Sequence, residues 1–158
     1  MTERTTFSGA SSAVESLVEV INTASRGVTI FSPELDHSVF DDPALVEALS
    51  SFSRSSAIAK VGILISDSRS MVSRGHQLVE LARRLPSHFT IRKQAGENKE
   101  HLSFVTADLR AFWFLPDSQI LEGYYNLDDP VRVERLNEQF IELDRRSAPD
   151  PELRILQL

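Results

Sequence analysis

His101-Leu102-Ser103-Phe104-Val105-Thr106-Ala107-Asp108-Leu109-Arg110-Ala111-Phe112-Trp113-Phe114-Leu115 is the stretch on which the fold of this 158-residue chain turns. β-Branched and aromatic residues fill 101–107 and 110–115, which reads as two strands. Asp108 and Leu109 make the turn between them, and Asp is a good turn residue whatever else it does. Strands joined by so short a turn pair antiparallel. The second strand (AFWFL) concentrates aromatic side chains. That pattern points first to core packing or a subunit interface, and second to stacking on nucleic-acid bases.

Upstream of this hairpin, helix and strand alternate three times. Val14, Leu17, Val18 and Ile21 share one face of a helix over 12–25, and Gly27 stops it. Residues 28–32 (VTIFS) make a short apolar strand that Pro33 ends. Asp42 and Pro43 supply a capping side chain and a first-turn proline to a helix over 42–54, with Leu45, Leu49 and Phe52 inward. Residues 61–66 (VGILIS) form a strand covered on both faces. The spacing of Met71, Leu78, Leu81, Ala82 and Leu85 predicts a single helix over 69–85, closed by Pro86. Gly75 inside it costs up to about 1 kcal/mol relative to Ala and reads as a tolerated glycine. Its neighbour His76 reads as a residue of a helix surface or of a ligand site. Residues 89–93 are a third strand, followed by a polar connection from Glu97 to Lys99.

Downstream, residues 119–125 offer a further strand. Asp129-Pro130 starts a long helix to about Arg146, with Val133, Leu136, Phe140 and Leu143 inward. Residues 153–158 read as an edge strand or tail, and 1–11 as a flexible lead. The expected fold is α/β: one domain over 1–158, with a mixed, mostly parallel sheet flanked by helices on both faces.

Composition narrows the function. Apolar residues are 41% and charged residues 25%, which suits a globular domain with its own core. No apolar run reaches the roughly 18 residues of a membrane span, and 1–12 lack the apolar centre of a secretory signal. There is no cysteine, which excludes disulfides, thiolate metal sites and cysteine nucleophiles. A cytoplasmic protein is expected, although the absence of cysteine also suits the periplasm. The formal charge of −6 disfavours an extended grip on nucleic acid. Arg83, Arg84, Arg92 and Lys93 lie close in sequence and read as a solvated face rather than a basic pocket.

His101, Ser103 and Asp108 carry the sharpest signal. Their spacing resembles the HxKxxxxD signature of the phospholipase D superfamily, with serine in the lysine position. The element order resembles it too, since there the motif opens a strand after three β-α units. The chain has the length of one half-unit of that family. The resemblance implies a two-half architecture, here a homodimer. One histidine attacks phosphorus and the other protonates the leaving group. The lysines bind phosphoryl oxygens and the Asp orients a histidine. A neutral imidazole is a competent nucleophile, a carboxylate can fix its tautomer, and a cation must offset the charge growing on phosphate.

Ser103 offers one hydrogen bond and no charge, a loss of roughly 10²–10³ in rate for each oxyanion partner removed. Gly123 is followed by Tyr124, where the family tends to have serine. Asn126 and Glu134 lie in the region of a downstream Asn and Glu. The resemblance therefore implies a phospholipase D-like half with a degenerate site and a binding, regulatory or assembly role. Similar domains occur joined to acetyltransferase-like domains in bacteria, which makes such a domain an expected partner. Two other readings stay open: a homodimeric phosphodiesterase with His101 as nucleophile, and an unrelated α/β interaction domain. Taken without the resemblance, His101 reads as a strand-start histidine and Ser103 as a plain strand residue.

Loops at the carboxyl ends of parallel strands are where ligands bind in α/β folds. By that rule His37 and Asp67 are candidate contacts for a phosphate-containing ligand, and the resemblance adds Asn126. Glu34, Asp36, His37, Asp67 and His101 could also converge on a metal ion. Their spacing fits no recognised metal pattern, and neither metal nor cofactor is expected. No Walker pattern and no Gly-x-Ser-x-Gly elbow is present.

Overall fold

Short apolar runs cut by Gly, Pro and Asp become strands here, and amphipathic stretches become the helices that cover them. The computed structural model describes residues 3–96 and 101–155. In chain order the elements are β1 (Thr5–Ser8), α1 (Ala10–Asn22), β2 (Gly27–Phe31), α2 (His37–Phe40), α3 (Pro43–Arg54), β3 (Lys60–Ile65), α4 (Arg69–Arg74), α5 (Gln77–Arg84), β4 (Phe89–Gln94), β5 (Ser103–Ala107), β6 (Ala111–Leu115), β7 (Glu122–Asn126), α6 (Pro130–Asp144), β8 (Ser147–Ala148) and α7 (Pro151–Ile155).

The strands form one eight-stranded sheet in the order β1-β7-β6-β5-β2-β3-β4-β8. β2, β3 and β4 are parallel. β5 returns antiparallel beside β2, with Val28 opposite Ala107 and Phe31 opposite Phe104. β6 and β7 continue the antiparallel run. The sheet is mixed, as the hairpin at Asp108 requires. Its parallel part is confined to three strands, less than a mostly parallel sheet would have, because hairpins and two edge strands supply the other pairings.

Alternating side chains divide the core in two. Val28, Ile30, Val61, Ile63, Val105 and Trp113 meet the apolar faces of α1, α3 and α5. Phe31, Leu64, Phe104 and Phe112 face the other way, against Val133 and Leu136 of α6. Trp113 is fully buried. It stacks on Phe7 at 5.2 Å and meets Phe40 edge-on, and its Nε1–H donates to Ser16 Oγ at 3.0 Å. In this chain the aromatic strand is core.

Three expectations need correction. Residues 69–85 are two helices, because Gly75 (φ 74°, ψ 163°) and an extended His76 break the ladder. The lead at 1–11 contains β1 and the start of α1, since β1 pairs with β7 and buries Phe7. In the last segment residues 153–155 belong to α7 rather than to a strand, with Leu153 buried, and 156–158 lie outside the described residues. The polar connection at 97–99 lies outside the described residues. No described helix is long and apolar enough to cross a membrane.

Candidate functional site

Antiparallel pairing of β5 with β2 brings the start of β5 to the carboxyl ends of β2 and β3. His101 and Ser103 stand there. Ser103 is fully buried and donates from Oγ to Ser32 Oγ at 3.1 Å, just past β2. Ser32 is buried too and accepts Leu35 N–H at 3.1 Å. Two places after His101 the chain therefore carries a neutral hydroxyl tied into the protein. His101 is exposed, and its carbonyl accepts the Ser118 N–H at 2.8 Å.

His101 forms part of the wall of an open cleft of about 1090 Å³. The loops after β2 and β3 contribute Glu34, Asp36, Ser66, Asp67 and Arg69, and β4 contributes Lys93 and Gln94. Ser118 and Gln119 follow β6, and the C-terminal segment adds Arg146, Asp150 and Glu152. Arg69 grips Asp67, with Nε 3.0 Å from Oδ1 and a second nitrogen 2.6 Å from Oδ2. That side-chain bond, helped by the Arg69 backbone N–H, holds the Asp67 carboxyl down at about 2. Asp150 is buried and accepts Ser68 Oγ–H at 2.5 Å, which anchors the C-terminal wall. Lys93 and Arg146 take part in none of the ion pairs among the described residues.

The loop after β2 is held from several sides. Ser66 and Asp67 N–H both donate to Pro33 O at 2.9 Å. Leu35 is buried with φ 48°, an uncommon conformation for a bulky residue and one that its surroundings enforce. His76 donates from Nε2 to Leu35 O at 2.8 Å, and its Nδ1 accepts Leu78 N–H at 3.3 Å. Burial pushes the His76 pKa below the usual histidine value, against the favourable bond to Leu35 and the charge of Asp41. His37 turns away from the cleft and donates from Nε2 to Gly75 O at 2.8 Å. His37 and His76 thus link α2 to the turn between α4 and α5.

Asp108 and Asn126 lie at the other end of the sheet. Five residues of strand, about 17 Å, separate Asp108 from Ser103. Asp108 accepts the backbone N–H groups of Ser25, Arg26 and Gly27 at 2.8–3.0 Å, together with the Ser25 hydroxyl. Burial alone would raise its pKa, but these bonds outweigh it and hold the carboxyl below its ordinary value. Asp108 therefore fixes the entry to β2 and is too remote to orient His101. Asn126 is buried at the end of β7 and accepts Asp128 N–H at 3.0 Å. Glu134 is exposed on α6.

Of the sequence candidates, Glu34, Asp36, Asp67 and His101 share the cleft, with Ser103 behind its wall. His37, Asn126, Asp108 and Glu134 do not join them. Among the described residues no three His, Asp or Glu side chains are placed to hold a metal ion. The basic run also separates. Arg83 pairs with Glu80, Arg92 binds Asp144 and Ser147, and Lys93 alone of the four faces the cleft. Ser32, Ser118 and Arg146 were missed. For Ser32 and Ser118 the signal in the sequence is position after a strand, which marks the cleft end of an α/β sheet, whereas Arg146 follows α6 and has none.

A family model described as Domain of unknown function (DUF7931) matches residues 9–156. No curated protein matches the sequence. Solved structures match the fold. Nuc from Salmonella typhimurium, a phospholipase D family member, superposes with a TM-score of 0.67 at 12% identity, over 94% of this chain and 99% of Nuc. NucT from Helicobacter pylori gives 0.67 at 13%, again over 94% and 99%. TrmBL2, an archaeal chromatin protein with a novel mode of DNA binding, gives 0.68 at 13%, over 95% of this chain but 54% of TrmBL2. The chain thus spans about half the length of TrmBL2. At these identities the likeness is one of fold, and the fold is phospholipase D-like.

Proposed function

Because the chain belongs to the family described as Domain of unknown function (DUF7931) and has a phospholipase D-like fold, we propose that it is a non-catalytic member of that fold, acting by binding or assembly. The observation that carries this reading is the bond from Ser103 Oγ to Ser32 Oγ. Phosphoryl transfer through a histidine needs fixed positive charge where the phosphate oxygens gain theirs. Here the residue two places after His101 is neutral, buried and turned into the protein. The nearby Asp67 and Arg69 neutralise each other.

The cleft keeps what a ligand site needs. Lys93 and Arg146 give cationic donors, and Gln94, Ser118 and Gln119 give neutral ones. This set suits a small phosphate-containing ligand that is bound and not turned over. The assembly is a homodimer, because a half-unit completes its cleft across a two-fold axis. Sedimentation equilibrium should return twice the chain mass. An acetyltransferase-like domain is the protein partner that the sequence resemblance implies.

A second reading has one observation behind it: His101 is exposed on the same cleft as Lys93 and Arg146. That arrangement is the minimum for a surviving phosphodiesterase. Hydrolysis of bis-p-nitrophenyl phosphate by the wild type and His101→Asn, with chelator present, separates the two. The proposal expects no turnover from either. Wild-type turnover that disappears in His101→Asn would overturn it and make the protein an enzyme.

A further inference from the structure

A second group of cations sits on the sheet face that carries α6, toward the Asp108 end. Arg4 precedes β1, whose register places Thr5 opposite Tyr125 of β7. Its guanidinium carbon lies 4.2 Å from the centre of the Tyr124 ring. Arg132, in the first turn of α6, stands 5.0 Å over the neighbouring Phe114 ring. The two rings are 5.3 Å apart, and Phe112 braces Tyr124 edge-on at 5.9 Å. Between them is a pocket of about 330 Å³ that shares no lining residue with the His101 cleft.

The arginines are held by ring faces, which leaves most of their N–H groups for another acceptor. Neither takes part in an ion pair among the described residues. Asp129, the one carboxylate among the described residues that line the pocket, accepts the Arg132 backbone N–H at 3.1 Å. The Tyr124 hydroxyl accepts a long bond, 3.4 Å, from Arg132 and adds a polar group beside the rings. Two like charges converge here in a chain of net charge −6. A planar guanidinium fork matches tetrahedral oxyanions. The two arginines and Asp129 leave the described lining with one net positive charge, which suits an anionic group, and the pocket is at the small end of ligand sites.

We propose that Arg4 and Arg132 form a second anion site, independent of the His101 cleft, for the phosphoryl group of a small molecule. Inorganic phosphate is the probe, followed by NMR on the full chain. Saturable shifts are expected at the Tyr124 amide and the Arg132 Nε–H, unchanged in His101→Asn. Arg132→Gln should weaken binding, read at the Tyr124 amide, by about tenfold or more, the effect of losing one charge-assisted hydrogen bond. Arg4→Gln should do the same. An unchanged amide spectrum for Arg132→Gln alone suffices to exclude unfolding if Arg4→Gln loosens β1. Acetate, with a single charge, should bind more weakly. Shifts confined to Lys93 and Arg146, or a linear response at Tyr124, would overturn the second site and leave the reading of the cleft intact.

Discussion

Asp108 and Ser103 carry the motif's spacing, and each does something local pattern could not specify. Asp108 is a turn residue by composition, with φ 54° in a region that Asp tolerates. Its partners, Ser25 to Gly27, lie more than 80 residues upstream. Replacing it with Ala strips an ionised acceptor from three backbone N–H groups. The expected cost is about 2–3 kcal/mol, the usual weight of hydrogen bonds to a charged group. Urea unfolding at neutral pH measures it, and Asp108→Asn should fall between the wild type and Asp108→Ala. An unchanged midpoint for Asp108→Ala would refute the structural role. Ser103 shows the same limit. That its hydroxyl cannot replace an ammonium was legible from the residue itself. That it points at Ser32, 71 residues away, follows only from β5 lying beside β2.

The elements with strong periodicity were legible, and those defined by pairing were not. Leu45, Leu49 and Phe52 announced α3, with Asp42 accepting Ala44 N–H at 2.8 Å as its cap. β1 (TTFS) is short and polar, and only β7 beside it makes it a strand. The split between α4 and α5 lay hidden in one glycine. A Cβ at Gly75 would touch nothing within 4 Å, so only its backbone conformation requires glycine. Next to it, His76 joins α5 to the loop after β2. Both ring nitrogens are used as in the neutral form, and burial lowers the pKa. The unfolded chain takes up the proton first as pH falls through the ordinary value near 6.5. The stability His76 contributes is therefore complete above that value. It is lost as pH drops toward the lowered folded pKa, with a slope of at most about 1.4 kcal/mol per pH unit. His76→Gln removes this titration, so its stability should depend less on pH between about 7.5 and 5.5 than that of the wild type. Urea midpoints across that range check it, and parallel curves would contradict it.

At the scale of the whole molecule, the question is where the positive charge goes. Of 17 lysines and arginines, Arg54, Arg69, Arg83, Arg92, Arg110 and Arg145 are paired with carboxylates. Lys93 and Arg146 face one cleft, and Arg4 and Arg132 another pocket toward the opposite end of the sheet. Two separate pairs can each hold one anionic group. Neither pair by itself makes the continuous basic stripe that a backbone with a negative charge every ~1.7 Å of helix axis calls for. The cleft itself brings Glu34, Asp36 and Glu152 to its wall, and these repel a polyanion while sparing a small ligand that sits against Lys93. The likeness to TrmBL2 makes the point worth testing, since that chromatin protein binds DNA and this chain has its fold over about half its length. The net charge, legible from composition alone, and the distribution of the cations, legible only in the fold, argue for the same result. A short DNA duplex at about 0.15 M ionic strength should show no retardation by this protein at micromolar concentration. A shift that weakens steeply with added salt would mean that the two cationic sites act together, across two copies of the chain, as the stripe that one copy lacks.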